Sequence, residues 1–323
     1  MSQIVGVDVA KRSFDVAMPL LAGKYRTKAK LDNEAAGFKA FGAWLERHAG
    51  PGSWVVMEAT GVYHEALAEY VHARGYRVCV LNPAQVSLYA RSQLQRVKTD
   101  RVDAKLIAGY AQRHEDLLRP WQPDPPGVRR LRARVRRLQD LQEIEQMEAN
   151  RLEVAEAGVR DSVEQLLGHV REQIAQTLKD IREHIDEDPD LRGRRDLLQS
   201  IPGVGEKTAA LLMAECGDLR RFRNGKALTA FAGLNPRLQE SGQYAGQVRI
   251  SRTGAAQLRA GLYMPALAAM THNPAVRALK QRLKARGKAG KQVVCAAMRK
   301  LLHIAYGVIK SGRPFDPKRA VAG

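Results

Sequence analysis

Four acidic residues in the first third of the chain have the types and spacing to do phosphoryl chemistry. Asp8 lies at the centre of "IVGVDVAKRSFDVAM" (Ile4 to Met18), which reads as a strand, a tight turn and a second strand. Val5, Val7 and Val9 alternate with Gly6 and Asp8, so the valines line one face and Asp8 points to the other. A lone carboxylate buried there would cost several kcal/mol unless something pairs with it. Glu58 closes a short apolar strand, "SWVVMEATG". Asp100 and Asp103 open the helical pattern "KTDRVDAKLIAGYAQRH" and, three residues apart, share one of its faces. Each acid alone has an ordinary explanation. Asp100 and Asp103 suit the positive end of a helix, and Glu58 could cap or pair with an arginine. Together, four such groups would repel one another if left bare. Two Mg²⁺ ions, roughly 4 Å apart, would offset that charge and clamp the attacking and leaving oxygens of a phosphodiester.

The elements that must position these acids alternate between strand and helix. After the opening pair, "KYRTKAKL" (Lys24 to Leu31) is a third strand candidate. "NEAAGFKAFGAWLERHA" has helical spacing, with Phe38, Phe41 and Leu45 on one stripe and Asn33 as N-cap. "VYHEALAEYVHARG" is a second helix closed by Gly75, and "YRVCVLNP" a strand stopped by Asn82-Pro83. Thr99 is the expected cap of the helix that carries Asp100 and Asp103. This order predicts an α/β domain over 1–118, a mixed sheet with helices on its faces. An acid on the first strand, one on a later strand and two on a following helix is how ribonuclease-H-like folds assemble a carboxylate cluster.

Proline-rich "RPWQPDPPG" (Arg119 to Gly127) reads as a linker. Beyond it Val128, Leu131, Val135, Leu138, Leu141 and Ile144 recur at steps of three or four, the mark of a long amphipathic helix. Its first half is Arg-rich and its second half Glu-rich; a second polar helix spans roughly Val159 to Asp186. The pair predicts a helical hairpin or coiled-coil arm over 126–188, whose arginines are either solvated or in contact with nucleic acid. "DEDPDLRGRRD" marks a second boundary, before a mostly helical domain over 192–323.

That last domain opens with "LLQSIPGVGEKTAALLMAECG", a helix-hairpin-helix pattern. Gly203 and Gly205 let the turn bring backbone N–H groups close to a DNA phosphate, the following helix offers its positive end, and Lys207 adds charge. Such a motif holds a protein on a phosphate backbone and does not read sequence. Ser241-Gly242 falls at a hairpin tip, and Ser251-Arg252-Thr253-Gly254 precedes a helix. "QLRAGLYMPALAAM" and "GKQVVCAAMRKLLHIAYGVIKSG" are apolar core helices; between them "RALKQRLKARGKAGK" is a basic, glycine-punctuated surface.

Composition narrows the partners. The chain has 323 residues and a formal charge of +19, which points to a polyanion. No apolar run approaches a membrane span, and Asp8 and Lys11 stand where a secretion signal would need its apolar stretch. Cys79, Cys216 and Cys295 are far apart, as expected of buried thiols in a reducing compartment. The eight histidines lack zinc-type spacing, so a metal here would be hard and oxygen-bound.

"GVDVAKRSFDVAM", "MEATGVYHEALA", "LNPAQVSLYARSQLQRVKTDRVDAKLIA", "SIPGVGEKTAALLMAECGDLRRF" and "AFAGLNPRLQESG" occur in one order along nearly the whole chain. Together they resemble the DEDD-type insertion-sequence transposases, bridge-RNA-guided DNA recombinases. The resemblance implies a RuvC-like N-terminal domain, a coiled-coil arm and a C-terminal transposase domain. It implies that Asp8, Glu58, Asp100 and Asp103 bind Mg²⁺, and that Ser241 attacks DNA to form a transient phosphoserine link. On residues alone, Ser241-Gly242 would be no more than a hairpin turn. A basic turn near Arg237, Arg249 and Arg252 would hold the phosphate. The resemblance further implies donor and target DNA as substrates, a non-coding guide (bridge) RNA, a homodimer assembling to a homotetramer through the arm, a composite site shared between protomers, and a cytoplasmic, nucleoid-associated bacterial location. A junction-resolving nuclease would need the four acids but not Ser241. A non-enzymatic nucleic-acid-binding protein would need neither.

Overall fold

The valine alternation forms the central strand of a five-stranded sheet. In the computed structural model, which describes residues 3–59, 61–93, 100–237, 240–241, 244–245 and 249–318, that strand is β1 (Ile4–Val9). Contacts divide the chain into two units, Met1–Pro123 and Asp124–Gly323. In the first, β1 turns into β2 (Ser13–Pro19), followed by β3 (Tyr25–Asp32), α1 (Ala35–His48), β4 (Trp54–Glu58), α2 (Glu65–His72), β5 (Arg77–Leu81), α3 (Pro83–Ser92) and α4 (Asp100–Arg113). The sheet order is β3-β2-β1-β4-β5. β1 pairs antiparallel with β2 and parallel with β4, and β4 pairs parallel with β5. It is the mixed sheet that the sequence predicts.

Its two faces bury separate cores. Val5, Val7 and Val9 join Phe14, Val16, Met57 and Val78 under Phe41 and Leu45 of α1 and Leu67 and Val71 of α2. Ile4, Trp54, Val56 and Cys79 face the other way, against Leu106, Ile107 and Ala111 of α4. Gly6 lets α4 lie close on this second face. A Cβ at Gly6 would stand 2.5 Å from the Ala108 nitrogen and 2.8 Å from its Cβ, and would also strike the Ala104 carbonyl oxygen. Two of these are backbone atoms of a packed helix and the third is an alanine Cβ fixed to it, so none can swing aside. Gly6→Ala is therefore expected to cost about 1–3 kcal/mol, as overpacked cores do, measured by denaturant unfolding.

Two local expectations in this unit change, and a third is not addressed. Asn33 does not cap α1: the N-cap is Glu34, with no side-chain cap bond, and the Asn33 side chain is committed elsewhere. Asn82-Pro83 does stop β5, but it also starts α3 through a capping box with Gln85, a helix the strand-and-breaker reading passes over. Thr99 lies outside the described residues, so its capping is not addressed.

The second unit is a helical body with one small hairpin region. α5 (Pro126–Glu153) and α6 (Ala157–Glu187) form the expected helical hairpin, and α5 buries Val128, Leu131, Val135, Leu138 and Leu141. α7 (Pro189–Gln199), α8 (Glu206–Cys216) and α9 (Gly225–Phe231) follow. Then come the strands β6 (Pro236–Arg237), β7 (Glu240–Ser241), β8 (Tyr244–Ala245) and β9 (Arg249–Ile250). α10 (Ala256–Gly261), α11 (Tyr263–His272), α12 (Pro274–Ala285) and α13 (Gly290–Ser311) complete the chain. The arm and the later helices share a single hydrophobic core, in which α5 packs on α8. The acidic stretch expected as a boundary is instead the start of α7, capped by Asp188 and buried at Leu191 and Arg194.

The helix expected over "QLRAGLYMPALAAM" is two helices that break at Leu262. Pro265 lacks an N–H, and its ring would clash with the carbonyl four residues back, so a continuous helix is excluded. The basic stretch after it is mostly α12, with Gly287 turning at φ +68° before α13. α13 corrects one further expectation. Among the described residues it alone is long and apolar enough to cross a membrane. Val293, Ala297, Leu301, Leu302, Ala305 and Val308 are nevertheless buried in the protein core. Cys79 and Cys216 are buried and free, and Cys295 is half-buried; burial pushes the Cys79 and Cys216 thiols up, which keeps them unreactive.

Candidate active site

Asp8 and Glu58 stand side by side at the same end of adjacent strands. Parallel pairing of β1 with β4 sets Val7 opposite Met57, so the next residue on each strand is the acid. Side chains alternate along a strand, which turns Asp8 with Gly6 and Glu58 with Val56 toward the face that α4 covers. Both acids are half-buried. Asp103 is also half-buried, in the first turn of α4 and next to Ala104, where that helix crosses Gly6. Asp100 begins α4; its side chain lies outside the described residues. The backbone thus brings the strands and the helix carrying all four predicted acids to one face of one sheet.

A fifth acid joins them. Asp15 on β2 is the antiparallel register partner of Asp8, faces the same way and is 5% exposed. Carboxylates directly opposite each other on paired strands repel. A signal for this exists in the sequence. If Lys11-Arg12 is the turn of the opening hairpin, partners have numbers summing to 23, which pairs residue 8 with residue 15. The turn itself is closed by Ala10 N–H donating to the Ser13 carbonyl, 2.9 Å.

Carboxylate oxygens are the donors that hard divalent cations such as Mg²⁺ select. Asp8, Glu58 and Asp103 are donors of that type and share one face of the sheet. Among the described residues no three Asp, Glu, His or Cys side chains stand close enough to hold an ion. The loops beside the acids are tied to each other. Asn33 donates from its side-chain nitrogen to the carbonyls of Ala10 and Tyr63, 3.0 Å each.

The other predicted residues belong to the second unit. Ser241 pairs antiparallel with Tyr244 across β7 and β8. Arg237 and Arg249 are register partners on β6 and β9, a second antiparallel pair. Arg237 is exposed; the side chains of Ser241 and Arg249 lie outside the described residues. Arg252, also exposed, takes the left-handed backbone at φ 57°, which costs a non-glycine residue about 1 kcal/mol. Three bonds strap its turn to the α9–β6 loop: Ser251 N–H to Asn235 O (2.8 Å), Arg252 N–H to Gly233 O (3.1 Å) and Ala255 N–H to Phe231 O (2.8 Å).

The glycine turn joins α7 to α8. Gly203 has φ +100°, and a Cβ there would meet Ala269 Cβ at 2.7 Å. The residue is therefore required twice over, by conformation and by close packing. Gly205 is the N-cap of α8, and both it and Lys207 are exposed. Glu206 at the same terminus is neutralised by a forked contact with Arg182, at 2.8 and 3.0 Å, which holds its carboxyl below the usual range. Of the arginines on α5, Arg132 is committed to Asp124 and to the Ala214 carbonyl, and Arg136 faces Glu215. Arg130 and Arg137 are exposed.

Residues 5–155 match the transposase family model of the DEDD IS110 type, and residues 195–281 match that of the transposase IS116/IS110/IS902 family. The pilin gene-inverting protein of Moraxella bovis is 33% identical over 318 residues, which cover 97% of this chain and 98% of that protein. The transposase for insertion sequence element IS1111A of Coxiella burnetii is 41% identical over 75 residues, 23% of this chain and 21% of that protein. The uncharacterized 43.6 kDa protein of insertion element IS110 from Streptomyces coelicolor is 31% identical over 122 residues, 38% of this chain and 30% of that protein. With both family models matched in order and a relative aligned end to end, the chain belongs to the IS110/IS116/IS902 family of insertion-sequence transposases.

Proposed function

We propose that this protein is an RNA-guided transposase that cuts and rejoins donor and target DNA strands through a Ser241–DNA intermediate. Asp8, Glu58, Asp100 and Asp103 hold Mg²⁺ beside the scissile phosphate. The observation that carries the reading is the in-register pair Asp8 and Glu58 on the face crossed by α4, with Asp103 in that helix's first turn. The order of the five strands, with β2 alone reversed between β3 and β1, supports a ribonuclease-H-like, RuvC-like domain. When bound, the ions neutralise charge that builds on the phosphate in the transition state. The serine oxygen forms a bond to phosphorus as one of the strand's own P–O bonds breaks. The count of phosphoester bonds is unchanged, so the released hydroxyl of an exchanged strand can reverse the step without an external energy source. Arg237, Arg249 and Arg252, within about a dozen residues of Ser241 along the chain, hold the phosphate there.

The +19 charge supports a load of guide RNA with two DNA duplexes, where base pairing supplies sequence choice and the protein reads backbone and shape. Such a protein works in the cytoplasm, at the nucleoid. The arm presents exposed apolar side chains near its turn, Met147, Val154, Val159 and Leu166. They support an arm-to-arm contact in a homodimer that assembles to a homotetramer. The α7–α8 turn acts as a helix-hairpin-helix that holds one backbone phosphate, with Gly203 shaping the turn and Gly205 and Lys207 facing it. Lys207→Ala is accordingly expected to weaken binding to duplexes of any sequence and to lower the slope of log K against log salt by about 0.9. The reading as a whole is tested by denaturing the protein during strand exchange and mapping DNA-linked peptides by mass spectrometry. A nucleotide remnant on Ser241 is the expected result. Exchange that proceeds with no such adduct would defeat the serine assignment.

A further inference from the structure

We propose that Asn33 is a positioning residue for the carboxylate edge, the residue that ties together the loops leaving the strands of Asp8 and Glu58. The inference rests on the reading above that these two acids act together. A carboxamide nitrogen carries two N–H donors, and Asn33 spends one on each acid-bearing strand's exit loop. One goes to the carbonyl of Ala10, two residues beyond Asp8, and the other to the carbonyl of Tyr63, five residues beyond Glu58; both are 3.0 Å. Its main-chain N–H donates to the Arg12 carbonyl at 2.9 Å, so the residue grips the β1–β2 turn twice. The orientation of the amide follows from these acceptors, since the flipped form would set Oδ1 against two carbonyl oxygens.

What the side chain gives up is as informative as what it gains. Asn33 Oδ1 is buried and, among the described residues, meets no hydrogen-bond donor. Buried polar atoms are nearly always satisfied in native proteins. The capping bond to α1, the obvious alternative use of this residue, is also forgone, and Glu34 takes the cap position without making such a bond. The arrangement keeps the one geometry in which a single nitrogen spans both loops. Parallel pairing ends at Glu58, and the β1–β2 pairing ends at Val9. Beyond those points no strand ladder fixes the two loops relative to each other, and the Asn33 amide bridges them.

The test uses Mg²⁺ itself as the probe. The full chain, without nucleic acid, is melted across a MgCl₂ series as wild type, Asn33→Asp, Asp8→Asn and Phe41→Leu. Aspartate keeps the shape of Asn33 and removes both donors. Phe41 is fully buried on the opposite face of the sheet and serves as a purely structural comparison. Wild type is expected to gain Tm with Mg²⁺ and Asp8→Asn to lose that gain. Asn33→Asp should shift the Mg²⁺ midpoint upward by about tenfold, the scale seen when residues that orient metal ligands are lost. Phe41→Leu should lower Tm at every Mg²⁺ concentration and leave the midpoint in place. Hydrogen exchange in Asn33→Asp should speed up at residues 10–13 and 61–64 and stay unchanged in β5. If Asn33→Asp does not fold, Asn33→Ser, which keeps one donor, should show a smaller shift of the same sign. A wild-type midpoint in Asn33→Asp, or one moved no more than in Phe41→Leu, overturns the positioning role while leaving the proposed function standing. A wild type that does not respond to Mg²⁺, or an Asp8→Asn that responds like it, overturns both.

Discussion

Asp8→Asn is expected to lower strand cleavage at least a thousandfold, ~4 kcal/mol of transition-state stabilisation, and at the same time to make the protein more stable. The two effects have one origin. Asp8 sits half-buried in β1 with Asp15 directly across on β2 and Glu58 next in register on β4. Three carboxylates on one face of three adjacent strands cost stability. Like charges opposite each other on paired strands are worth roughly 0.2–1 kcal/mol of repulsion. Asparagine has the same shape and no charge, so it relieves the repulsion and leaves the packing alone. Were Asp8 a structural residue, paired only to hold the sheet, its replacement would destabilise and would leave catalysis proportional to the folded fraction. Opposite signs for activity and stability, read from cleavage rates and urea unfolding of the same preparation, separate the two accounts. Glu58→Gln should behave alike, since Glu58 ends β4 on the same face.

Ser241→Ala is expected to abolish both the covalent adduct and strand exchange while DNA binding stays within about twofold, because a hydroxyl that acts only as nucleophile adds little to ground-state binding. The backbone argues that the fold will tolerate the change. Ser241 pairs through its main chain with Tyr244, and alanine makes the same pair. If the residue were merely a turn former, exchange would survive in the alanine variant. A nuclease that resolves junctions without a covalent step would also keep its cutting, so this substitution separates the covalent reading from both others. Ser241→Cys, a thiol at the same place, offers a companion whose adduct differs in mass by the oxygen-to-sulfur change.

How much of this was legible beforehand follows from the range of the interactions involved. The valine alternation at positions 5, 7 and 9 fixes which face of β1 Asp8 takes, and the structure follows it. The three-and-four spacing of Val128 to Leu141 gives the buried stripe of α5 for the same reason: periodicity is a local property. What escaped detection depends on distant partners. Asn33 looks like a cap because the acceptors that claim its amide, Ala10 and Tyr63, are 23 and 30 residues away. Asp15 looks like an ordinary strand residue until the hairpin register sets it opposite Asp8. The break between α10 and α11 has a local cause, Pro265 inside the apolar run, which hydrophobic spacing alone does not register. Ser241 is the opposite case. Its hairpin position is legible from Ser-Gly, while its proposed chemistry comes from the family and not from the residues around it.

The central claim is that acids on two strands and one helix share divalent cations. It is tested most directly by anomalous diffraction from crystals of the protein with DNA, grown in Mn²⁺ as a stand-in for Mg²⁺. The account predicts anomalous peaks within about 2.2 Å of carboxylate oxygens of Asp8 and Glu58, with Asp100 or Asp103 completing the ligand set. Peaks elsewhere, or a well-ordered scissile phosphate beside those acids with no ion between them, would contradict it.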